Sequence, residues 1–158
     1  MFEISEMTTE YATEISKWKY DEPYSAYSMK DTEDEIDEIM NGLHVAVTEA
    51  DELVGYIAFG WSAQPRCENS SAIFEDESYS DIALGLRPDL CGRGLGGQLT
   101  ECAVSFVKDL FPEDGVRLTV KADNVRAIKV YERAGFSKST DFTYSDGALY
   151  NVMCLTEA

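Results

Sequence analysis

The stretch Leu90-Cys91-Gly92-Arg93-Gly94-Leu95-Gly96-Gly97-Gln98-Leu99 constrains this chain more than any other. It follows an apolar run, Ile82-Ala83-Leu84-Gly85-Leu86, closed by Arg87-Pro88. Leu95, Leu99, Cys102, Phe106 and Leu110 then recur at three- and four-residue steps, which predicts one apolar face of a helix. A strand therefore feeds a glycine-rich turn, and the turn opens a helix. Such a turn aims several backbone N–H groups and the positive end of the helix dipole at one point. An anion belongs there, most commonly a pyrophosphate. Gly92, Gly94, Gly96 and Gly97 carry no Cβ, so a ligand can approach the backbone closely. The turn lacks the Gly-Lys-Ser/Thr of a nucleoside-triphosphate loop and the spacing of the dinucleotide fingerprint. A purely structural glycine turn is the competing reading.

A second stretch narrows the choice. Val116-Arg117-Leu118-Thr119-Val120 reads as a strand, and Asn124-Val125-Arg126-Ala127-Ile128-Lys129-Val130-Tyr131-Glu132-Arg133-Ala134-Gly135-Phe136 follows it. Together the two stretches resemble the GNAT superfamily of N-acetyltransferases. Its first motif, Gln/Arg-x-x-Gly-x-Gly/Ala, aligns with Cys91 to Gly96. Its second, Asn-x-x-Ala-x-x-x-Tyr-x-x-x-Gly-Phe, is met by Asn124, Ala127, Tyr131, Gly135 and Phe136. The resemblance covers roughly residues 80 to 137. Cys91 departs from it by replacing Gln/Arg. Because such a loop works mostly through backbone N–H groups, weakened side-chain help is expected rather than lost binding.

The resemblance implies an α/β fold in one domain over residues 1–158. Its mixed, mostly antiparallel sheet is splayed between two parallel strands and flanked by helices. It further implies acetyl-CoA as co-substrate. Pantetheine would pair with the backbone around Leu84, Gly85 and Leu86. The pyrophosphate would sit on Cys91, Gly92, Arg93, Gly94, Leu95, Gly96 and Gly97, with Asn124, Arg126 and Ala127 nearby. A primary amine, on a protein N-terminus or a small molecule, would attack the thioester directly. Tyr131 occupies the family's position for the acid that serves the leaving thiol, and its other reading is a core aromatic. A backbone N–H near the sheet opening would stabilise the developing oxyanion. Many members place a glutamate base on a central strand. Here those positions hold Ser80 and Thr119, and Asp81 points to the opposite face. No base is assigned; a water chain leading to Glu75, Asp76, Glu77 or Asp81, or to an N-terminal residue, is the fallback, and Ser80, Asp81 and Thr119 are candidate substrate contacts. Family members often dimerise. The alternative is an acyl-CoA-binding sensor of the same fold without catalysis.

The charge balance is extreme, with 30 acidic against 13 basic residues and a net charge of −17. Nucleic acid is an unsuitable direct partner for such a chain. The acid reads either as a solvated, salt-adapted surface or as acidic walls that attract a cationic amine. Coenzyme A is itself an anion, and Arg87, Arg93, Lys121, Arg126 and Lys129 cluster in the matched region. No apolar run approaches the roughly 18 residues that span a bilayer, and no signal peptide is visible at Met1-Phe2-Glu3-Ile4. Cys67, Cys91, Cys102 and Cys154 are scattered, so reduced thiols and a cytoplasmic location are expected.

Elsewhere, a helix is predicted from Thr8 or Thr9 to about Tyr20. Trp18-Lys19-Tyr20-Asp21-Glu22-Pro23-Tyr24-Ser25-Ala26-Tyr27 is too aromatic for an ordinary loop. In the family this region forms part of the acceptor wall, which makes Trp18, Tyr24 and Tyr27 candidate substrate contacts. Rings that merely cover the core are the other reading. Asp31 to Met40 predicts an acidic helix with Ile36, Ile39 and Met40 inward, ended by Gly42. Leu43–Thr48 and Leu53–Trp61 predict a hairpin. His44 is the single histidine, so no His-based metal cluster is expected, and it reads as a hydrogen-bonded strand end. Residues 62–79 form a long polar connection, expected near the acceptor mouth. A second hairpin closes the chain around Ser145-Asp146-Gly147.

Overall fold

The computed structural model describes residues 1–156. In chain order it holds β1 (Glu3–Ser5), α1 (Thr9–Ser16), α2 (Glu33–Ile39), β2 (His44–Glu49), β3 (Glu52–Phe59), α3 (Ser71–Phe74), β4 (Tyr79–Leu86), α4 (Gly96–Leu110), β5 (Gly115–Lys121), α5 (Val125–Arg133), β6 (Phe136–Thr143) and β7 (Leu149–Leu155). The strands form one sheet in the order β1-β2-β3-β4-β5-β7-β6. Every neighbouring pair is antiparallel except β4 and β5, which the crossover helix α4 joins in parallel.

Local chemistry accounts for the element ends. Thr8 caps α1 by accepting from the Tyr11 N–H, and Thr32 caps α2 through Glu35. Ala50 and Asp51 both have positive φ, 50° and 65°, so β2 and β3 meet in the tight two-residue turn that suits a twisted hairpin. The first helix is shorter than predicted: it stops at Ser16, and residues 17–28 leave it as a loop.

The sheet has two different faces, because successive strand residues point to opposite sides. On one side Ile82, Val116, Leu118 and Val120 pack under α4, whose buried positions are Leu99, Thr100, Ala103 and Val107. The apolar periodicity is thus rotated from the expected face: Cys102 and Phe106 only flank the core, and Leu110 is exposed. On the other side α1 and α2 bury Ile15, Trp18 and Ile39 against Ala46 and Leu53. Met40, expected inward, lies exposed at the end of α2. A third cluster, Phe74 with Phe142 and Val152, is covered by part of the connection between β3 and β4. That connection carries a short 3-10 turn at Gly60–Ala63 and the one-turn helix α3, rather than being featureless. Among the described residues no helix is long and apolar enough to cross a membrane.

Candidate active site

β4 and β5 pair only from Tyr79 to Ile82, against Gly115 to Leu118. Beyond that point they part, and a cavity of about 550 Å³ fills the gap. Its walls are Ile82 to Leu86 on one strand and Leu118 to Lys121 on the other. The Arg87 N–H donates to Val54 O at 2.8 Å, which marks a hydrogen-bonded pair with β3. Such pairs alternate along an antiparallel ladder. Gly85 and Ala83 therefore also bond β3, while the backbone groups of Leu84 and Leu86 turn toward the gap. This is an open strand edge inside a cavity, suited to an extended, amide-bearing ligand. In the free protein the Leu86 carbonyl accepts a 2.6 Å hydrogen bond from the Tyr20 hydroxyl.

The glycine turn closes one end of the gap. Gly92 and Gly94 have φ of +78° and +77°, where a Cβ would cost about 1–2 kcal/mol. α4 begins at Gly96 after Leu95, and no side chain caps it. Its first-turn N–H groups are left for a ligand anion. A Cβ on Gly92 would stand 4.0 Å from Arg126 Nη1, so a guanidinium flanks the turn. Cys91, Gly92, Gly94, Leu95 and Gly96 line the cavity, whereas Arg93 and Gly97 do not.

Asn124 links the two sides of the cavity. Its Oδ1 accepts from the Ala127 N–H at 3.2 Å and caps α5. Its Nδ2 donates to the Tyr27 hydroxyl at 3.2 Å, which tethers the loop after α1. Arg126 lies 4.2 Å over the Tyr24 ring. Tyr56 lies across β4 opposite Gly85, where an added Cβ would stand 2.2 Å from its ring. Tyr20, Tyr24, Tyr27, Tyr56 and Tyr150 therefore surround the face of the gap away from α4, and Tyr131 enters from α5. Tyr131 also stacks edge-on against Phe136 at 6.1 Å. Burial, with the nearby phenols of Tyr27 and Tyr56, pushes the Tyr131 phenol well above its ordinary value. Burial also pushes Tyr56 up to about 12.

Besides Arg93 and Gly97, three of the residues expected to contact substrate lie outside the cavity. Trp18 is a core residue beneath α1, 6.1 Å from Tyr56; Tyr20, two positions on, reaches the gap instead. Ser80 is on the α4 side of β4 and donates to Asp114 Oδ2 at 3.0 Å. Asp81 does point to the other face, but it is 1% exposed and held by Arg117 through two bonds of 2.7 and 2.9 Å. Gln64 donates to it as well, at 2.8 Å. That arrangement leaves Asp81 as a structural ion partner, not a substrate contact. The segment 62–79, expected at the acceptor mouth, lines none of the cavity; it closes the sheet face below it.

Thr119 does line the cavity, at the apex where the strands separate. Its Oγ1 is buried without a hydrogen-bond partner. A buried unpaired hydroxyl costs about 1–3 kcal/mol. Thr119→Val is therefore expected to raise the stability of the free protein by about 1 kcal/mol, read as a higher urea midpoint with unchanged slope. A lowered midpoint would mean that the hydroxyl has a partner.

The charge of the site bears on the two readings of the acid. Lys121, Arg126, Lys129 and Arg133 line the cavity, and among the described residues no Asp, Glu or His does. The acid of this chain therefore lies outside this lining. Tyr20, Tyr56, Tyr150 and Arg133 escaped the sequence reading. The signal for Tyr56 was Gly85, since a glycine inside a strand marks a close approach by a neighbour.

The family model described as the acetyltransferase (GNAT) family matches residues 9–136. A mycothiol acetyltransferase of Actinosynnema mirum is 35% identical over 111 residues, covering 70% of this chain and 32% of that protein. The chain thus spans about a third of the length of the curated relatives it matches. Among solved structures, an aminoglycoside acetyltransferase in complex with coenzyme A superposes with a TM-score of 0.72 at 21% identity, covering 96% of this chain and 94% of that one. The ribosomal-protein-S18-alanine N-acetyltransferase of Escherichia coli superposes with a TM-score of 0.63 at 20% identity, covering 100% and 96%. These structural likenesses establish a shared fold.

Proposed function

Because the chain belongs to the acetyltransferase (GNAT) family, we propose that the cavity holds acetyl-CoA beside a primary amine and that the protein moves the acetyl group to the amine. One observation carries this reading: the open edge at Leu84 and Leu86 and the uncapped start of α4 face one cavity. The residues present fit the cofactor. The strand edge offers alternating donors and acceptors to an amide-rich chain. The turn at Gly92 to Gly96 offers backbone N–H groups to a pyrophosphate, and Arg126, Lys129 and Arg133 supply positive charge beside it. Cys91 adds no charge there, but backbone donors do not depend on it.

When bound, acetyl-CoA supplies an activated acetyl thioester. Tyr131 keeps its Oη proton at any ordinary pH and serves as a neutral hydrogen-bond donor inside the cavity. The tyrosine-lined face admits the amine of a small molecule or a peptide and excludes water from its surroundings. The four cysteines are free, which supports a cytoplasmic location.

Titration calorimetry with acetyl-CoA, followed by thiol release against pooled amines, tests the proposal. Saturable one-to-one binding that weakens with added salt is expected, because exposed cations contribute to it. Turnover on at least one amine is expected in the same sample. Binding without turnover on any amine would favour a sensor. Absence of binding would overturn the assignment of the cavity.

A further inference from the structure

If the cavity performs acetyl transfer, its lining restricts the acceptor. Lys121, Arg126, Lys129 and Arg133 are its charged residues, and among the described residues none is a carboxylate. Three acids that are not part of the lining reach its tyrosines electrostatically: Asp123 acts on Tyr27 and Tyr150, Asp146 on Tyr150, and Glu35 on Tyr56. His44 is held by Asn41 and lies outside the cavity. Of the remaining titratable groups, burial raises Tyr20, Tyr27, Tyr56, Tyr131, Tyr150 and Cys91, so these stay protonated and take up no proton. The aromatic faces do not form an empty cage for a cation either, since Arg126 already covers Tyr24.

The proton balance then decides between acceptors. A neutral amine nitrogen forms the N–C bond to the acetyl carbon as the C–S bond breaks. The electron pair of that bond stays on sulfur, and one N–H proton passes to it. Amide and thiol result, with no proton left over. An ammonium must first lose one more proton, and no group lining this cavity accepts it. We infer that the acceptor is an amine substantially uncharged at neutral pH, such as an α-amine. The inference rests on the acetyl-transfer reading above and selects among its acceptors.

The size of the effect follows from amine basicity. At pH 7.5 an α-amine is about one-third neutral, whereas a lysine-type alkyl amine is about one part in 800 neutral. The neutral fraction alone separates the two by about 10²-fold.

The test compares three acceptors on the wild-type chain with saturating acetyl-CoA: a short peptide with a free α-amine and no lysine, Nα-acetyl-lysine amide, and spermidine. The peptide is expected to show the higher kcat/KM at pH 7.5, with the neutral fraction setting an upper limit of about 10²-fold because the more basic alkyl amines are better nucleophiles once neutral. Its kcat/KM is expected to rise with pH through the pKa of the peptide's own amine, and the inflection should move when a peptide of different amine basicity is used. Spermidine or the lysine amide matching the peptide would overturn the inference while leaving acetyl transfer standing. An inflection that ignores the acceptor would also overturn it, because a protein base would then be at work. Failure of all three acceptors would overturn the acetyl-transfer reading itself, and the inference with it.

Discussion

Tyr131→Phe lowers kcat for acetyl transfer by about 10²- to 10³-fold while the affinity for acetyl-CoA stays within a few-fold. The expectation starts from what the substitution removes. Phenylalanine keeps the ring, its edge-on contact with Phe136 at 6.1 Å and its place on α5. It deletes one hydroxyl from the lining of the cavity, which opens where β4 and β5 part. A preorganised donor of this kind matters where negative charge develops, and losing one costs about 2.7–4 kcal/mol in the transition state. Ground-state binding rests on the strand edge and the glycine turn, which the substitution leaves intact. The sign of the pH dependence follows from the shift: a phenol raised above its ordinary value remains a donor at higher pH. No loss of activity through Tyr131 ionisation is expected below about pH 10. A variant with wild-type kcat would remove Tyr131 from the reaction and leave it a core aromatic.

Asp81→Ala costs about 3–5 kcal/mol of stability, a large part of the roughly 5–15 kcal/mol available to a domain. Arg117 is 3% exposed and loses both bonds to the carboxylate, so a full charge is left buried. Its remaining support is the Ile73 carbonyl, at 3.0 Å, and the rings of Phe74 and Tyr79, 5.2 and 5.1 Å away. The pair also closes the sheet beneath the cavity. Asp81 faces Arg117 one step before Ile82 and Leu118, where the parallel pairing ends. Urea unfolding of the single variant measures the loss. Replacing both partners with apolar residues of similar size is expected to recover most of it, because no charge is then stranded. A single variant within about 1 kcal/mol of wild type would show that water reaches Arg117.

What could be read from the sequence was what is encoded locally. The strand, glycine turn and helix around Leu90 lie in one short stretch, and their backbone chemistry needs no distant partner. Asn124 to Phe136 is equally self-contained, with its cap at Asn124 and its stop at Gly135. The acceptor face is different. Tyr20, Tyr56, Tyr150 and Tyr131 come from a loop, two strands and a helix, and only the sheet order brings them together. The alternation of β4 correctly turned Asp81 away from Ser80, yet nothing near Asp81 announces that Arg117 neutralises it. Trp18 and Tyr20 are separated by a single lysine, and the end of α1 at Ser16 decides which of the two is core. Net charge left two readings open for a physical reason as well: a sum over the whole chain says nothing about which residues line one cavity.

The central claim is that this cavity joins an acetyl group to an amine. The most direct measurement counts both products of one reaction: thiol released from acetyl-CoA and acetylated α-amine peptide, the latter by mass spectrometry. One acetylated amine per thiol, with both absent when the peptide is omitted, is the expected result. Thiol release without acetylated peptide, or acetyl-CoA bound with neither product formed, would contradict the account.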